Sequence, residues 1–197
     1  AGEVCPVAKS TFAAFLDPDG PAGRCAALVV PASCDAKRKL GEVLNDFRPT
    51  FMLDLPPEQD ANRFMKMAAD EIERLAGFLS EQLGRRLSRR ALLETIELSG
   101  ERTRLVRALQ DERAHKPGGV SFRDLSVVIQ AAHAAVPWDR WVAEARKVLE
   151  ELRAYEPPRT RLRPRLVLTG APVLWPNFKV LNLLEEAGAD VVGDTLC

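Results

Sequence analysis

The sequence predicts an α/β chain with two small parallel-sheet lobes joined by a helical region. Three observations lead there. Short apolar runs of strand length alternate with helix-period segments near both ends of the chain. The middle instead carries long, charge-rich stretches of helical period. A strand, helix, strand succession near the C-terminal end has the spacing of a βαβ unit, whose strands must be parallel.

Each element has a local reason. Residues 5–16 form a short helix, with Pro6 suited to the first turn. Asp17-Pro18-Asp19-Gly20-Pro21 is a turn cluster. Residues 26–31 are apolar and partly β-branched, and are expected to be a buried strand. In 35–47, Leu40, Val43, Leu44 and Phe47 recur at spacings of three and four, giving a helix with one apolar face. Residues 50–55 make a second strand, stopped by Pro56-Pro57.

Two long helices follow, 57–83 and 88–115. Ile72, Leu75, Ala76, Leu79 and Leu83 line one face of the first, and Leu92, Ile96, Leu105 and Leu109 serve the second. Gly84 suits a C-cap and Ser88 an N-cap. Pro117-Gly118-Gly119 breaks the run. Ser121 and Asp124 have capping-box spacing and open a helix over 122–135; Pro137 begins another, ending near 155. A basic, proline-broken linker from Pro157 to Arg165 precedes a strand at 166–170, a helix at 177–187 closed by Gly188, and a strand at 189–194. The expected division is therefore 1–56 for part of a first lobe, 57–156 for the helical region and 163–197 for the start of a second lobe.

The 197 residues are 46% hydrophobic and 28% charged, with Lys+Arg and Asp+Glu at 28 each. A net charge of zero gives no electrostatic pull toward nucleic acid or an anionic membrane. No apolar stretch approaches the roughly 20 residues that span a bilayer, and the first residues do not have the pattern of a signal peptide. Four cysteines are too few for a disulfide scaffold, so a reducing cytoplasm is expected. There is no initiator Met, and a cysteine suited to start a site loop is the last residue, so the chain is expected to be a fragment of a longer polypeptide.

The cysteines are the candidate chemistry. Cys5 and Cys34 stand at the starts of expected helices, where the dipole and free N–H groups favour a thiolate. Cys197 lies just past an expected strand, where ligand sites of open α/β sheets occur. Three thiolates brought together can hold a metal or an iron–sulfur cluster with one position open; without a CxxC pair, the spacing alone favours three unrelated buried thiols, and position is what favours a shared site. Cys25 starts a strand and reads as packing. The run Asp35-Ala36-Lys37-Arg38-Lys39 is either an acidic first turn with a solvated basic face, or cationic support for an anionic cluster or acyl-CoA phosphate. His115 and His133 are isolated and read as surface or helix-end residues. Trp138 and Trp141 read as helix packing, and Trp175 as a residue able to line a pocket. No phosphate-binding loop, dinucleotide fingerprint, nucleophile elbow or zinc-protease motif occurs, so ATP hydrolysis would fall to another protein.

Several stretches resemble one family. They are Cys5-Pro6-Val7-Ala8-Lys9-Ser10, Val29-Val30-Pro31-Ala32-Ser33-Cys34-Asp35-Ala36-Lys37-Arg38-Lys39-Leu40 and Phe51-Met52-Leu53-Asp54-Leu55-Pro56. The match continues through Arg165-Leu166-Val167-Leu168-Thr169-Gly170-Ala171-Pro172, Leu184-Glu185-Glu186-Ala187-Gly188-Ala189-Asp190-Val191-Val192 and Asp194-Thr195-Leu196-Cys197. Together they are similar to the 2-hydroxyacyl-CoA dehydratase component D family, which includes 2-hydroxyglutaryl-CoA dehydratase subunits and the cluster subunits of benzoyl-CoA reductase.

The resemblance implies an iron–sulfur cluster, 4Fe-4S, held by Cys5, Cys34 and Cys197, with Cys25 outside the motifs. It implies a lyase or oxidoreductase subunit that passes a low-potential electron to a CoA thioester, making a ketyl radical of its carbonyl. It also implies a homologous subunit in a homo- or heterodimer, an ATP-hydrolysing activator that donates the electron, and an acyl-CoA substrate. The Cys34-to-Lys39 run is similar to that of double-cubane-cluster relatives, with Ala36 in place of a glycine and Arg38 in place of a lysine. Dehydratase, aromatic-ring reductase and double-cubane reductase of small substrates stay open, as do a non-catalytic homologous subunit and a zinc-stabilised or structural α/β protein. No general base is assigned.

Overall fold

The order of elements follows the hydrophobic pattern. A computed structural model describes residues 5–20, 22–55, 59–116, 119–133, 137–156 and 163–196. It contains α1 (Pro6–Leu16), β1 (Leu28–Pro31), α2 (Asp35–Asn45), β2 (Thr50–Leu53), α3 (Ala61–Leu83), α4 (Arg89–His115), α5 (Phe122–Ala131), α6 (Trp138–Ala154), β3 (Arg165–Gly170), α7 (Lys179–Glu186) and β4 (Asp190–Leu196). β1 pairs in parallel with β2, and β3 in parallel with β4. The architecture is α/β, with two small parallel two-stranded sheets and a helical region between them in the sequence. The chain divides into two compact units, Ala1–Ser88 and Arg89–Cys197.

In the first unit, β1 and β2 run in register from Leu28 opposite Thr50 to Pro31 opposite Leu53. The ladder extends one step further, where the Ala32 N–H donates to the Leu53 carbonyl at 2.9 Å. α2 packs directly on this ribbon. Gly41 is the point of closest approach: a Cβ there would lie 2.1 Å from Met52 Sδ. A side chain would push the helix off the sheet, which accounts for a helix-weakening glycine in mid-helix. Val30 faces the same contact, whereas Val29 is exposed. β1 is therefore half-buried rather than the buried strand its apolar run suggested, because α2 covers one face of a two-stranded ribbon. Phe47 meets Phe12 and Phe15 edge-on at 6.0 and 6.3 Å, fastening α1 to the end of α2. On the other side Phe51 of β2 meets Phe78 of α3 at 5.5 Å.

The second unit is built around α4. Leu105 and Leu109 pack with Leu125 of α5 and with Trp141, Val142, Ala145, Leu149 and Leu152 of α6. The Trp141 indole N–H donates to the Val128 carbonyl at 2.9 Å, so this buried ring is also satisfied. Arg102 lies over the Trp138 ring at 4.1 Å, and both tryptophans pack as expected. A smaller cluster of Phe122, Phe178, Leu181 and Val191 seats α7 against β4. β3, α7 and β4 form the βαβ unit, with a register shift between Leu166 and Val167.

Caps end the helices where their residue types place them. Pro6 occupies the first turn of α1. Gly84 closes α3 at φ 61°, a left-handed conformation that glycine takes without steric cost. Ser121 Oγ accepts the Asp124 N–H at 3.0 Å, opening α5. The long-helix faces are less complete than their period suggests. Leu105 and Leu109 are buried, but Ile72, Leu83, Leu92 and Ile96 are exposed. No helix among the described residues is long and apolar enough to cross a membrane.

Candidate functional site

Cys5 and Cys34 occupy the same structural position on successive helices. Cys5 is the N-cap of α1, and its carbonyl accepts the Lys9 N–H at 3.1 Å. Cys34 is the N-cap of α2, and its carbonyl accepts the Arg38 N–H at 3.0 Å. Neither helix start has a side-chain cap hydrogen bond. Both thiols are exposed. The first turn of a helix carries N–H groups with no intrahelical acceptor, and a sulfur anion is a suitable partner for them.

The two helix starts open on one groove. It measures about 530 Å³ and is walled by Ala8, Phe12, Leu40 and Val43, with Cys5, Lys9, Asp35 and Lys39 also lining it. Asp35 and Ala36, in the first turn after Cys34, line it, so the groove reaches the heads of both helices, while Cys34 itself is not among its lining residues. The Ala8 and Val7 backbone N–H groups hold the Cys5 thiol below its ordinary range; slight burial opposes this, and the Lys37 ammonium adds to it. In the iron-free chain, the pH midpoint for alkylation of Cys5 is expected below the roughly 8.5 of an ordinary thiol. A lowered pKa fixes the sign of the linked stability: the thiolate's contribution is present above the ordinary value and is lost as pH falls through the lowered one. Rates of iodoacetamide labelling against pH, read by mass spectrometry, measure the midpoint. A midpoint at or above the ordinary value would contradict the helix-terminus account.

The basic run divides its charges among specific partners. Lys37 donates to Ser33 Oγ at 3.0 Å. Lys39 meets Glu42 at 2.7 Å, which raises its pKa. Arg38 forms two parallel bonds to Asp54 at 2.9 and 2.8 Å, and the hydrogen bond and charge of Asp54 raise its pKa. Asp54 stands one residue past β2 and gives its N–H to Glu71 Oε1 at 3.1 Å. Glu71, on α3, is buried and pairs through Oε2 with Arg74 at 2.5 Å. The sequence did not single out Arg38, Asp54 and Glu71 as a connected set. A signal for Glu71 exists: it falls at helical spacing between Phe64 and the pair Leu75 and Phe78, an acid on an inward stripe.

None of the remaining candidates among the described residues lines this groove. Cys25 is half-buried and precedes β1, away from any helix start. His115 Nδ1 bonds the Asp111 carbonyl at 2.7 Å and remains exposed at the end of α4. Trp175 is exposed; its N–H donates to Gln130 Oε1 at 2.9 Å, while Gln130 Nε2 donates to the Val173 carbonyl at 2.8 Å. Val173 and Leu174, with His133 and Asp194, line a cavity of about 280 Å³ beside that loop. Cys197 lies outside the described residues. Among the described residues no group of three or more His, Cys, Asp or Glu side chains could hold a metal ion. The groove nevertheless supplies part of what an iron–sulfur group requires of a protein: one soft sulfur ligand, Cys5, favoured as a thiolate by the N–H donors beside it.

A family model described as "2-hydroxyglutaryl-CoA dehydratase, D-component" matches residues 2–197. The Escherichia coli (strain K12) protein named "Putative dehydratase subunit YjiM" is 29% identical over 204 residues, covering 98% of this chain and 51% of that protein. The chain thus spans about half the length of this curated relative.

Proposed function

The chain belongs to the 2-hydroxyglutaryl-CoA dehydratase D-component family, and from that membership we propose that it is the iron–sulfur subunit of an oxygen-sensitive acyl-CoA dehydratase or reductase. The observation that carries the reading is the pair of exposed cysteines, Cys5 and Cys34, each heading a helix that opens on one groove. Cys197 is proposed as the third ligand, through its place in the family motif. When bound, the cluster supplies a low-potential electron for a CoA thioester.

The chain's own residues prepare that chemistry. Cys5 is held toward its thiolate by backbone N–H groups, so iron binding there requires less deprotonation work than at an ordinary thiol. Lys37 sets a positive charge near that sulfur. Lys9 and Lys39 border the groove, where they can meet an anionic substrate. A homologous subunit and an ATP-hydrolysing activator are proposed as partners, since the chain carries no phosphate-binding loop of its own. The relative's printed name, a dehydratase subunit, supports a role within an assembly. Unpaired, exposed thiols suit a reducing cytoplasm. The basic run after Cys34 favours a second reading, a double-cubane-cluster reductase of small substrates.

The test is spectroscopic. Full-length protein purified without oxygen is expected to be brown, with absorbance at about 400 nm that is lost in air, and to give an EPR or Mössbauer signal of an iron–sulfur cluster. A colourless protein with full zinc occupancy would overturn the proposal.

A further inference from the structure

Cys34 sits at a junction held from three directions. Before it, the Ala32 N–H bonds to the Leu53 carbonyl and keeps β1 on β2 until two residues ahead of the thiol. After it, the Arg38 N–H closes the first turn of α2 on the Cys34 carbonyl. Arg38 then reaches with its side chain to Asp54, the residue that follows β2. One residue therefore ties the carbonyl of Cys34 to the end of the neighbouring strand. Asp54 is itself fixed, because its N–H bonds to the buried carboxylate of Glu71 on α3.

The geometry points to Arg38 and Asp54, anchored by Glu71, as positioning residues that hold the head of α2, and Cys34 with it, in place for the cluster. The inference rests on the reading of Cys34 as a cluster ligand. The helix start lacks a side-chain cap, and the Lys37–Ser33 bond across it stays within the junction, so the side-chain tie from the helix head to the neighbouring strand is Arg38 to Asp54. A planar guanidinium paired bidentately with a carboxylate fixes orientation as well as distance, which a lysine in the same place would not. The pair is half-exposed, with side-chain exposures of 47% each, so its effect is on the geometry of the first turn rather than on folding as a whole.

The test uses full-length Arg38→Ala, Asp54→Asn and the charge-swapped Arg38→Asp/Asp54→Arg protein. In the iron-free state, exchange of the residue-38 amide, whose hydrogen bond to the Cys34 carbonyl closes the first turn of α2, is expected to quicken by up to about fivefold in both single variants and to slow again in the swap. Exchange in β1 and β2 should not change. After anaerobic iron loading, the reduction midpoint should move in the same direction in both single variants and return in the swap. Midpoints that move in opposite directions would show only the loss of two opposite charges and would overturn the positioning role. Unchanged exchange in Arg38→Ala would overturn it as well. Full iron retention in Cys34→Ala would instead remove the ligand reading beneath it, an outcome distinct from either.

Discussion

Cys34→Ala is expected to lose most of the iron bound by anaerobically prepared protein, while Cys25→Ala keeps it. The two cysteines lie nine residues apart in sequence but in different settings. Cys34 is exposed as the N-cap of α2, a helix start with no side-chain cap hydrogen bond. Cys25 is half-buried in the approach to β1, with no helix behind it. Removing a partner that merely supports a metal ligand weakens metal binding by about 10- to 100-fold. Removing a ligand from a set of three should cost at least as much. Cys34→Ala removes no side-chain cap bond, so loss of iron from a folded variant reports ligation and not unfolding. Iron content by mass spectrometry of metals, with circular dichroism on the same samples, reads both. Equal iron in the two variants would end the assignment of Cys34.

Much of this arrangement was legible because its causes are local. Pro6 marks a helix start through its fixed φ, and Gly84 and the Ser121–Asp124 pair mark helix ends through bonds that span four residues or fewer; all three stand at those ends in the structure. The parallel pairing of β3 and β4 follows from strand, helix, strand spacing, which depends on order rather than on distant contacts. What the pattern missed comes from contacts between elements. Nothing near Arg38 in sequence marks Asp54 as its partner, 16 residues on. Ile72 and Leu92 satisfy a helical period, yet remain exposed, because period reports which residues share a face and not what covers it. Val29 is exposed for the same reason: an apolar run cannot say that its sheet has two strands, with α2 on one face and α3 meeting the other at Phe51 of β2. The site divides likewise. The heads of α1 and α2 are local features, and both cysteines stand there; the Arg38, Asp54 and Glu71 connection required the fold.

The second large effect lies in the other unit. Arg113→Met is expected to destabilise it by about 3–5 kcal/mol, because it would leave Asp190 as a buried charge with no cation beside it. Arg113 and Asp190 are 77 residues apart, and their side chains are only 5% and 6% exposed. Arg113 Nη2 pairs with Asp190 Oδ1, and Arg113 Nε donates to the Val120 carbonyl at 3.3 Å. The guanidinium also lies 5.8 Å from the Phe122 ring centre. The pair joins the last turn of α4 to the first residue of β4, so it links the helical cluster to the βαβ unit. Its pairing is incomplete: Arg113 Nη1 and Asp190 Oδ2 are buried without partners among the described residues. An ion pair of this kind repays its desolvation poorly, so breaking it and replacing it have different consequences. Arg113→Met/Asp190→Leu removes both charges and is expected to recover most of the loss. All three tryptophans, Trp138, Trp141 and Trp175, fall in this unit, so urea unfolding followed by their fluorescence reports it selectively. A single variant within about 0.5 kcal/mol of the parent, the range of an ordinary surface change, would show that the pair is not a buried one in solution. A double variant as unstable as Arg113→Met would show that the aliphatic stem and ring contact of Arg113, rather than its charge, hold α4 to β4.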